Sequence, residues 1–342
     1  MSIDPSAYKR VRESAGLFDA SHLHGRLYAR GKDALDLLNR LSTGDLTPLF
    51  GQNGLAIRTV LTNEKGRIVD VLQVIKDESG HVVLITSKDK EQTVMDWLDK
   101  FTIMEDARFL LATEEIAQYV LYGPRSQSIV ELYAGRDLSE MPVEAVAGIT
   151  ILGTSATLFQ AQPIGGRSWG ILAHREHAEA IKRQLTSDIL TEGGVVVDDE
   201  LFEVLRIESG IPIAPNELNE KHNPLEIAQT ASAVSFTKGC YIGQEVIARL
   251  DAQSKVQRQL VGLHFENGMP AVGDRISDEA LVGTPLGDEI GEVTSLAHSP
   301  ANGAIGLGYV RARHANPGPP RRVSIKDNRG NTLPATLVTL PF

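Results

Sequence analysis

Cysteine is almost absent from this chain of 342 residues, Cys240 being the only one. A lone thiol excludes an intramolecular disulfide and any four-cysteine zinc or iron–sulfur site built within one chain. Long apolar runs are missing too. The longest span only a few residues, far below the roughly 20 that cross a bilayer. The opening stretch MSIDPSAYKRVRESAG lacks the apolar core of a secretory signal. Nor is there an excess of basic charge. With 34 Lys and Arg against 44 Asp and Glu, the net charge is −10, which makes a poor generic binder of phosphate backbones. No Walker lysine motif occurs, and Gly306-Leu-Gly308 lacks the third glycine and following helix of a dinucleotide loop. These absences leave a cytoplasmic protein with no nucleic-acid or membrane partner as the expectation.

What is present is ordinary in amount, with 42% hydrophobic and 23% charged residues. The length suggests two or three domains. A short helix is expected from Tyr8 to Phe18, then a strand in GRLYARG. In KDALDLLNRLS, Ala34, Leu37, Leu38 and Leu41 fall at helical spacing. The stretch from Thr59 to Ser87 reads as strands parted by turns at Asn63 to Gly66 and Asp77 to Gly80. DKEQTVMDWLDKFTI returns to helical period, and a similar strand–strand–helix order recurs in ILGTSATLFQAQ and WGILAHREHAEAIKRQL. The expected fold class is therefore α+β, a body of two related halves. From about Val256, short apolar segments separated by Gly, Pro, Asn and Asp predict an appended β-barrel or sandwich, with PGPP at 317–320 as a rigid turn.

Three stretches stand out chemically. In SFTKGCYIGQEVIARL, Gly239 and Gly243 bracket Cys240 and Tyr241 just before a helix that begins near Gln244. A thiol there, close to Lys238 and to the positive end of a helix, has the surroundings of a reactive or ligating cysteine. A small buried residue is the competing reading, since free cysteine is among the most buried types. In TNEKGRIVDVL, Asp70 sits among Ile68, Val69, Val71 and Leu72. Buried, it needs a partner or becomes a proton carrier; on an edge strand it simply faces water. In FEVLRIESGIPI, Arg206 either clamps a ligand carboxylate or pairs with Glu203 or Glu208, and spacing favours the ion pair. His22 with His24, and His174 with His177, have no further ligands at metal spacing, so no metal site is expected.

KGCYIGQEVIARL resembles the K-G-C-Y-x-G-Q-E signature of YgfZ-type folate-binding proteins, which support iron–sulfur enzyme maturation or repair. Those proteins lie in the superfamily of the glycine cleavage T-protein, an aminomethyltransferase, and the resemblance extends along most of the chain. ESAGLFDASHLHGRLYARG is similar to the T-protein's G-x-F-D-x-S-H entry, and TNEKGRIVDVLQV to its T-N-x-x-G-G-I-x-D-D-L segment. YGPRSQ, LRIESGIP, IGEVTSLAHSP and IGLGYV match further segments in order. Two departures favour the YgfZ branch. Asp70 is followed by Val71 where the T-protein carries paired aspartates. PIGGRSWG stands where it carries G-Y-T-G-E, so that Arg167 or Ser168 replaces a glutamate implicated in folate contact.

The resemblance implies two T-protein-type, ferredoxin-like halves plus a C-terminal barrel in a cloverleaf around a central channel that binds tetrahydrofolate. On it the domains are expected at 1–50 with 140–255, at 51–139, and at 256–342. It also implies a folate contact for Asp70, Arg206, Glu208, Lys238 and Tyr241, and a catalytic role for Cys240 and Asp70. Arg206 and Lys238 would then supply local positive potential for the anionic glutamyl tail. The activity implied first is folate-dependent support of iron–sulfur enzymes or their assembly proteins by a monomer. The alternative is folate-dependent aminomethyl transfer.

Overall fold

The computed structural model describes residues 3–253, 255–278, 289–315, 321–327 and 330–342. The expected turn at 317–320 lies outside the described residues. The α+β body with a C-terminal barrel forms as the sequence suggests. Its two halves share one strand order that the sequence conceals. The first half runs strand, helix, three-stranded meander, helix, strand. His24–Arg30 is followed by the helix Ala34–Leu41, then by Leu55–Thr62, Ile68–Lys76 and Val82–Ser87. The helix Glu91–Phe101 and the strand Arg108–Leu111 close it. The last meander strand pairs antiparallel with the first strand, and the final strand flanks that first strand on its other side.

The second half repeats the plan. Ile116–Tyr122 leads through the helix Ser126–Ala134 into the meander Val146–Ile151, Thr154–Ala161 and Ser168–His174. The helix Ala178–Thr191 and the strand Val195–Val197 follow, with the early strand Gly16–Asp19 inserted between the first and last strands. Strand pairing thus divides the chain elsewhere than at residues 50 and 140. Residues 24–111 supply the five-stranded sheet, and residues 16–19 with 116–197 supply the six-stranded one.

Local chemistry accounts for the element ends. Asp4 caps the helix Pro5–Glu13 by accepting from Ser6 N at 2.8 Å, with proline at the first position. That helix stops at Ser14 instead of running to Phe18, because Leu17 and Phe18 are buried in the strand Gly16–Asp19. Gly66 and Gly80 take positive φ in the two expected turns. His174 and His177 do not share a regular helix. His174 caps a single 3₁₀ turn, Arg175–His177, of which His177 is the last residue.

The C-terminal strands Arg258–Phe265, Arg275–Ser277, Glu289–Ser299, Gly303–Arg311, Arg321–Lys326 and Thr332–Val338 form a closed six-stranded barrel around Leu263, Ile276, Val293 and Ile325. A further core, containing Val60, Val204, Ile207, Leu307 and Tyr309, joins the barrel to the body. No helix among the described residues is long and apolar enough to cross a membrane.

The KGCYIGQE stretch is a clasp. Ser235 N donates to Thr43 O, Ile242 N donates to Arg40 O, and Ile242 O accepts from Thr62 Oγ1 at 2.6 Å. Gly243 closes it at φ +82°, and a Cβ there would stand 2.6 Å from Asn63 O. Gly243→Ala is expected to destabilise the protein by about 1–3 kcal/mol, checked by urea unfolding.

Candidate functional site

The two sheets of the body face each other across a cavity of about 300 Å³, at the low end for small-molecule sites. The six-stranded sheet contributes Phe18, Gln118, Val120, Tyr122 and Phe159. The five-stranded sheet contributes His24, Arg58, Val71, Gln73 and Ile85. The helix Asp199–Glu208 and the loop after it add Phe202, Glu203 and Ile211 to Ala214. Phe18 and Phe202 stack at 4.4 Å, making a flat aromatic wall. Against these apolar surfaces stand a few buried polar atoms without partners, Gln118 Oε1 and His24 Nδ1 among them. Burial, helped by neighbouring Arg26, pulls His24 down to about 4, so the imidazole is neutral at physiological pH. A separate open groove of about 1360 Å³, also lined by both sheets and including Arg30, Lys32, Glu78 and His81, shares none of these groups.

None of Asp70, Arg206, Glu208, Lys238, Cys240 and Tyr241 lines the cavity, yet Asp70 and Arg206 support its walls. Asp70 is 1% exposed. Its Oδ2 accepts from Ser87 N at 3.0 Å, while Oδ1 has no partner. Strand alternation turns it away from the face that Val71 presents to the cavity. Asp70 thus holds Ser87, whose neighbours Thr86 and Lys88 line the cavity with it. Desolvation raises its carboxyl to about 6.

Arg206 lies in a helix, where Glu203 sits one turn back, and is fully buried. Its Nε donates to Glu203 Oε2 at 2.6 Å and Nη2 to Ser295 Oγ at 2.7 Å. Nη1 donates to Ile211 O at 3.0 Å and lies 3.5 Å from Glu217. Every arm of the fork is used, and Arg206 meets the cavity only through Glu203 and the Ile211 loop. Glu208 likewise accepts from Tyr8 OH at 2.9 Å and pairs with Arg12 and with Ser299 Oγ. It ties the N-terminal helix to the barrel.

Lys238 Nζ donates to three backbone oxygens, those of Asn39, Ser42 and Gly44, at 2.6 to 2.9 Å. Its desolvated ammonium is lowered to about 8 and sits 5.4 Å from the ring of buried Tyr241. Cys240 is exposed, as are Gly239 and Glu245 of the same clasp. Arg167 donates to Leu138 O and Ser139 O, and Ser168 Oγ accepts from Ile164 N. Neither reaches the cavity. Among the described residues, no group of three or more His, Cys, Asp or Glu stands together as a metal site. Three polar lining residues, Arg58, Gln118 and Gln162, stand out only in the structure, Arg58 foremost. Arg58 carries no motif, lying between Ile57 and Thr59 in a strand.

Residues 5–238 match the GCVT N-terminal domain, and residues 258–342 match the glycine cleavage T-protein C-terminal barrel domain. The chain belongs to the glycine cleavage T-protein family. An aminomethyltransferase of Streptomyces coelicolor is 31% identical over 337 residues, covering 97% of this chain and 87% of that protein. One of Symbiobacterium thermophilum is 29% identical, covering 98% and 88%. The crystal structure of glycine cleavage system aminomethyltransferase T from Bartonella henselae superimposes with a TM-score of 0.80 at 22% identity, over 98% of this chain and 88% of that one, showing the shared fold.

The raised Asp70 carboxyl has a definite sign. Its folded value near 6 exceeds the unfolded value near 4, so ionising it opposes folding. That cost is absent below about pH 4, grows between 4 and 6, and is complete above. Asp70→Asn, which keeps an acceptor for Ser87 N, is expected to gain on the order of 1–3 kcal/mol at pH 7.5 and to flatten stability between pH 4 and 6. Denaturant titrations at three pH values check both effects. Cys240→Ala is expected to stay within about 0.5 kcal/mol of wild type, whereas Lys238→Met, which leaves three carbonyls unsatisfied, should lose roughly 2–4 kcal/mol.

Proposed function

We propose that this protein binds a reduced folate in the cavity between its two sheets and acts in one-carbon transfer of the aminomethyltransferase type. The observation that carries this reading is a whole-chain likeness to aminomethyltransferases, combined with an inter-sheet cavity whose lining suits a pterin. A pterin is flat, apolar on its faces and rich in donors and acceptors at its edges. The Phe18–Phe202 wall suits the faces, and Gln118 Oε1 and the amide of Gln162 suit the edges. Tetrahydrofolate supplies the nitrogens that accept or release the one-carbon unit. This chain contributes a dry, shaped enclosure. Asp70 holds the Thr86 to Lys88 wall from behind, and Arg206 fixes the Ile211 loop.

A second reading is a YgfZ-type accessory role for iron–sulfur enzymes. Two observations favour it: Cys240 is exposed on the KGCYIGQE clasp, and Val71 faces the cavity where the aspartate pair of the T-protein would place an acid. In that role Cys240 would act on a partner protein's surface, away from the cavity.

Calorimetric titration with tetrahydrofolate and its 5-formyl form tests folate binding, with saturable binding of at least one expected. Incubation with tetrahydrofolate and an aminomethylated lipoyl carrier protein separates the two readings. Methylene-tetrahydrofolate formation supports transfer. Binding without turnover, combined with loss of iron–sulfur enzyme support in Cys240→Ala cells, supports the accessory role. Failure of wild type to bind either folate contradicts both.

A further inference from the structure

The charges in the cavity do not balance. Asp199, at its edge, is engaged by His22 Nε2 at 2.8 Å. Glu203 is held by Arg206. Both carboxylates are thus committed. Arg58 has no carboxylate partner among the described residues. Its side-chain partner is the amide of Gln162, whose oxygen, turned toward the guanidinium, accepts from Nη1 and Nη2. Three of its five N–H groups therefore remain for something else. Burial is the sole cause acting on this guanidinium, and it lowers it to about 10, well below the usual arginine range. On the other side, His24 is kept neutral, partly by Arg58 itself.

Arg58 is half-buried at the cavity surface, and holding a cation there beside a neutral amide and apolar side chains costs free energy unless an anion completes the pair. The fold could have supplied one. Arg58 stands opposite Gln73 in the strand register, and Val71, diagonal to it on the same face, also lines the cavity. An acid at 71 would be near enough to compensate the charge, and a valine stands there instead. The adjoining polar mouth sets Lys88 and Arg175 against Asp19, Asp89, Glu91 and Glu114, an acid excess that gives an anion no help. Selection falls to the interior.

We infer that Arg58, oriented by Gln162, is the anion-recognising residue of the cavity, binding a negatively charged or lactam oxygen on the buried end of the ligand. The ligand class is a flat apolar molecule carrying such an oxygen. If it is a reduced folate, which rests on the function proposed above, the oxygen is either the pterin 4-oxo group or a glutamyl carboxylate. The same arrangement disfavours a cationic group at that depth.

The test compares wild type, Arg58→Met and Arg58→Lys by calorimetry and thermal unfolding, with tetrahydrofolate, tetrahydropteroate, tetrahydropterin and 4-aminobenzoate as probes. Arg58→Met is expected to bind tetrahydrofolate roughly 10–100-fold more weakly while unfolding, without ligand, at or above the wild-type temperature, since a desolvated cation has been removed. A purely structural arginine would lower that temperature. If the loss persists with tetrahydropterin, the oxygen is the pterin's; if it disappears without the glutamate, it is the carboxylate. Should wild type bind no folate, the folate reading falls. The Arg58 assignment then stands on 4-aminobenzoate raising the unfolding temperature of wild type but not of Arg58→Met. Binding of tetrahydrofolate by Arg58→Met within about twofold of wild type overturns the assignment, as does a lowered unfolding temperature rescued by Lys, or no response of wild type to any probe.

Discussion

The buried contact on which the rest of this structure leans is the Arg206 fork. From one turn of the helix Asp199–Glu208 it reaches Glu203, the Ile211 carbonyl, Glu217 and Ser295 of the barrel. Arg206 and Glu217 are both fully buried, and Glu217 also accepts from Ser295 Oγ at 2.7 Å. A network in so dry a setting is worth having only when every member is satisfied, and here each arm of the fork has a partner. It sets the position of the Ile211 to Ala214 loop, which closes the cavity from the barrel side. The barrel is thereby more than an appendage, because one of its strands supplies the hydroxyl that completes the cavity's support.

Two halves with one strand order, joined face to face, give the second constraint. Each half buries helices on one face of its sheet: Leu37, Leu38, Val94 and Leu98 in one, Ile129, Val130, Ile181 and Leu185 in the other. The opposite faces meet and enclose the cavity. A ligand held there touches both halves at once, so binding and the relative position of the halves are linked. Polar groups on this inner surface are few and individually placed, and specificity rests on them.

Much of the fold was legible in the sequence. The apolar spacing of Ala34, Leu37, Leu38 and Leu41, the turns at Gly66 and Gly80, and the short strands after Val256 all reported local physics that tertiary packing left intact. The repeat was less visible, because Gly16–Asp19 is inserted into one half's sheet and breaks the parallel between residues and positions. Candidate site residues were harder still. A motif marks a residue as special without saying whether it meets a ligand or holds the wall behind one. Asp70 and Arg206 are special in the second way, while Glu208 and Lys238 tie other elements together; all four are buried or half-buried and fully or partly occupied by the protein's own groups. The opposite error applies to Arg58. Nothing in Ile57-Arg58-Thr59 signals a site, and only the absence of a carboxylate around it in three dimensions does.

We place the ligand of this family member in the cavity between the two sheets. A crystal structure of the protein with tetrahydrofolate bound tests this placement most directly. Density is expected along the Phe18–Phe202 wall, with a ligand oxygen within hydrogen-bonding distance of the Arg58 guanidinium. Density in the open groove beside His81 or against the Cys240 clasp, with the inter-sheet cavity empty, would contradict it.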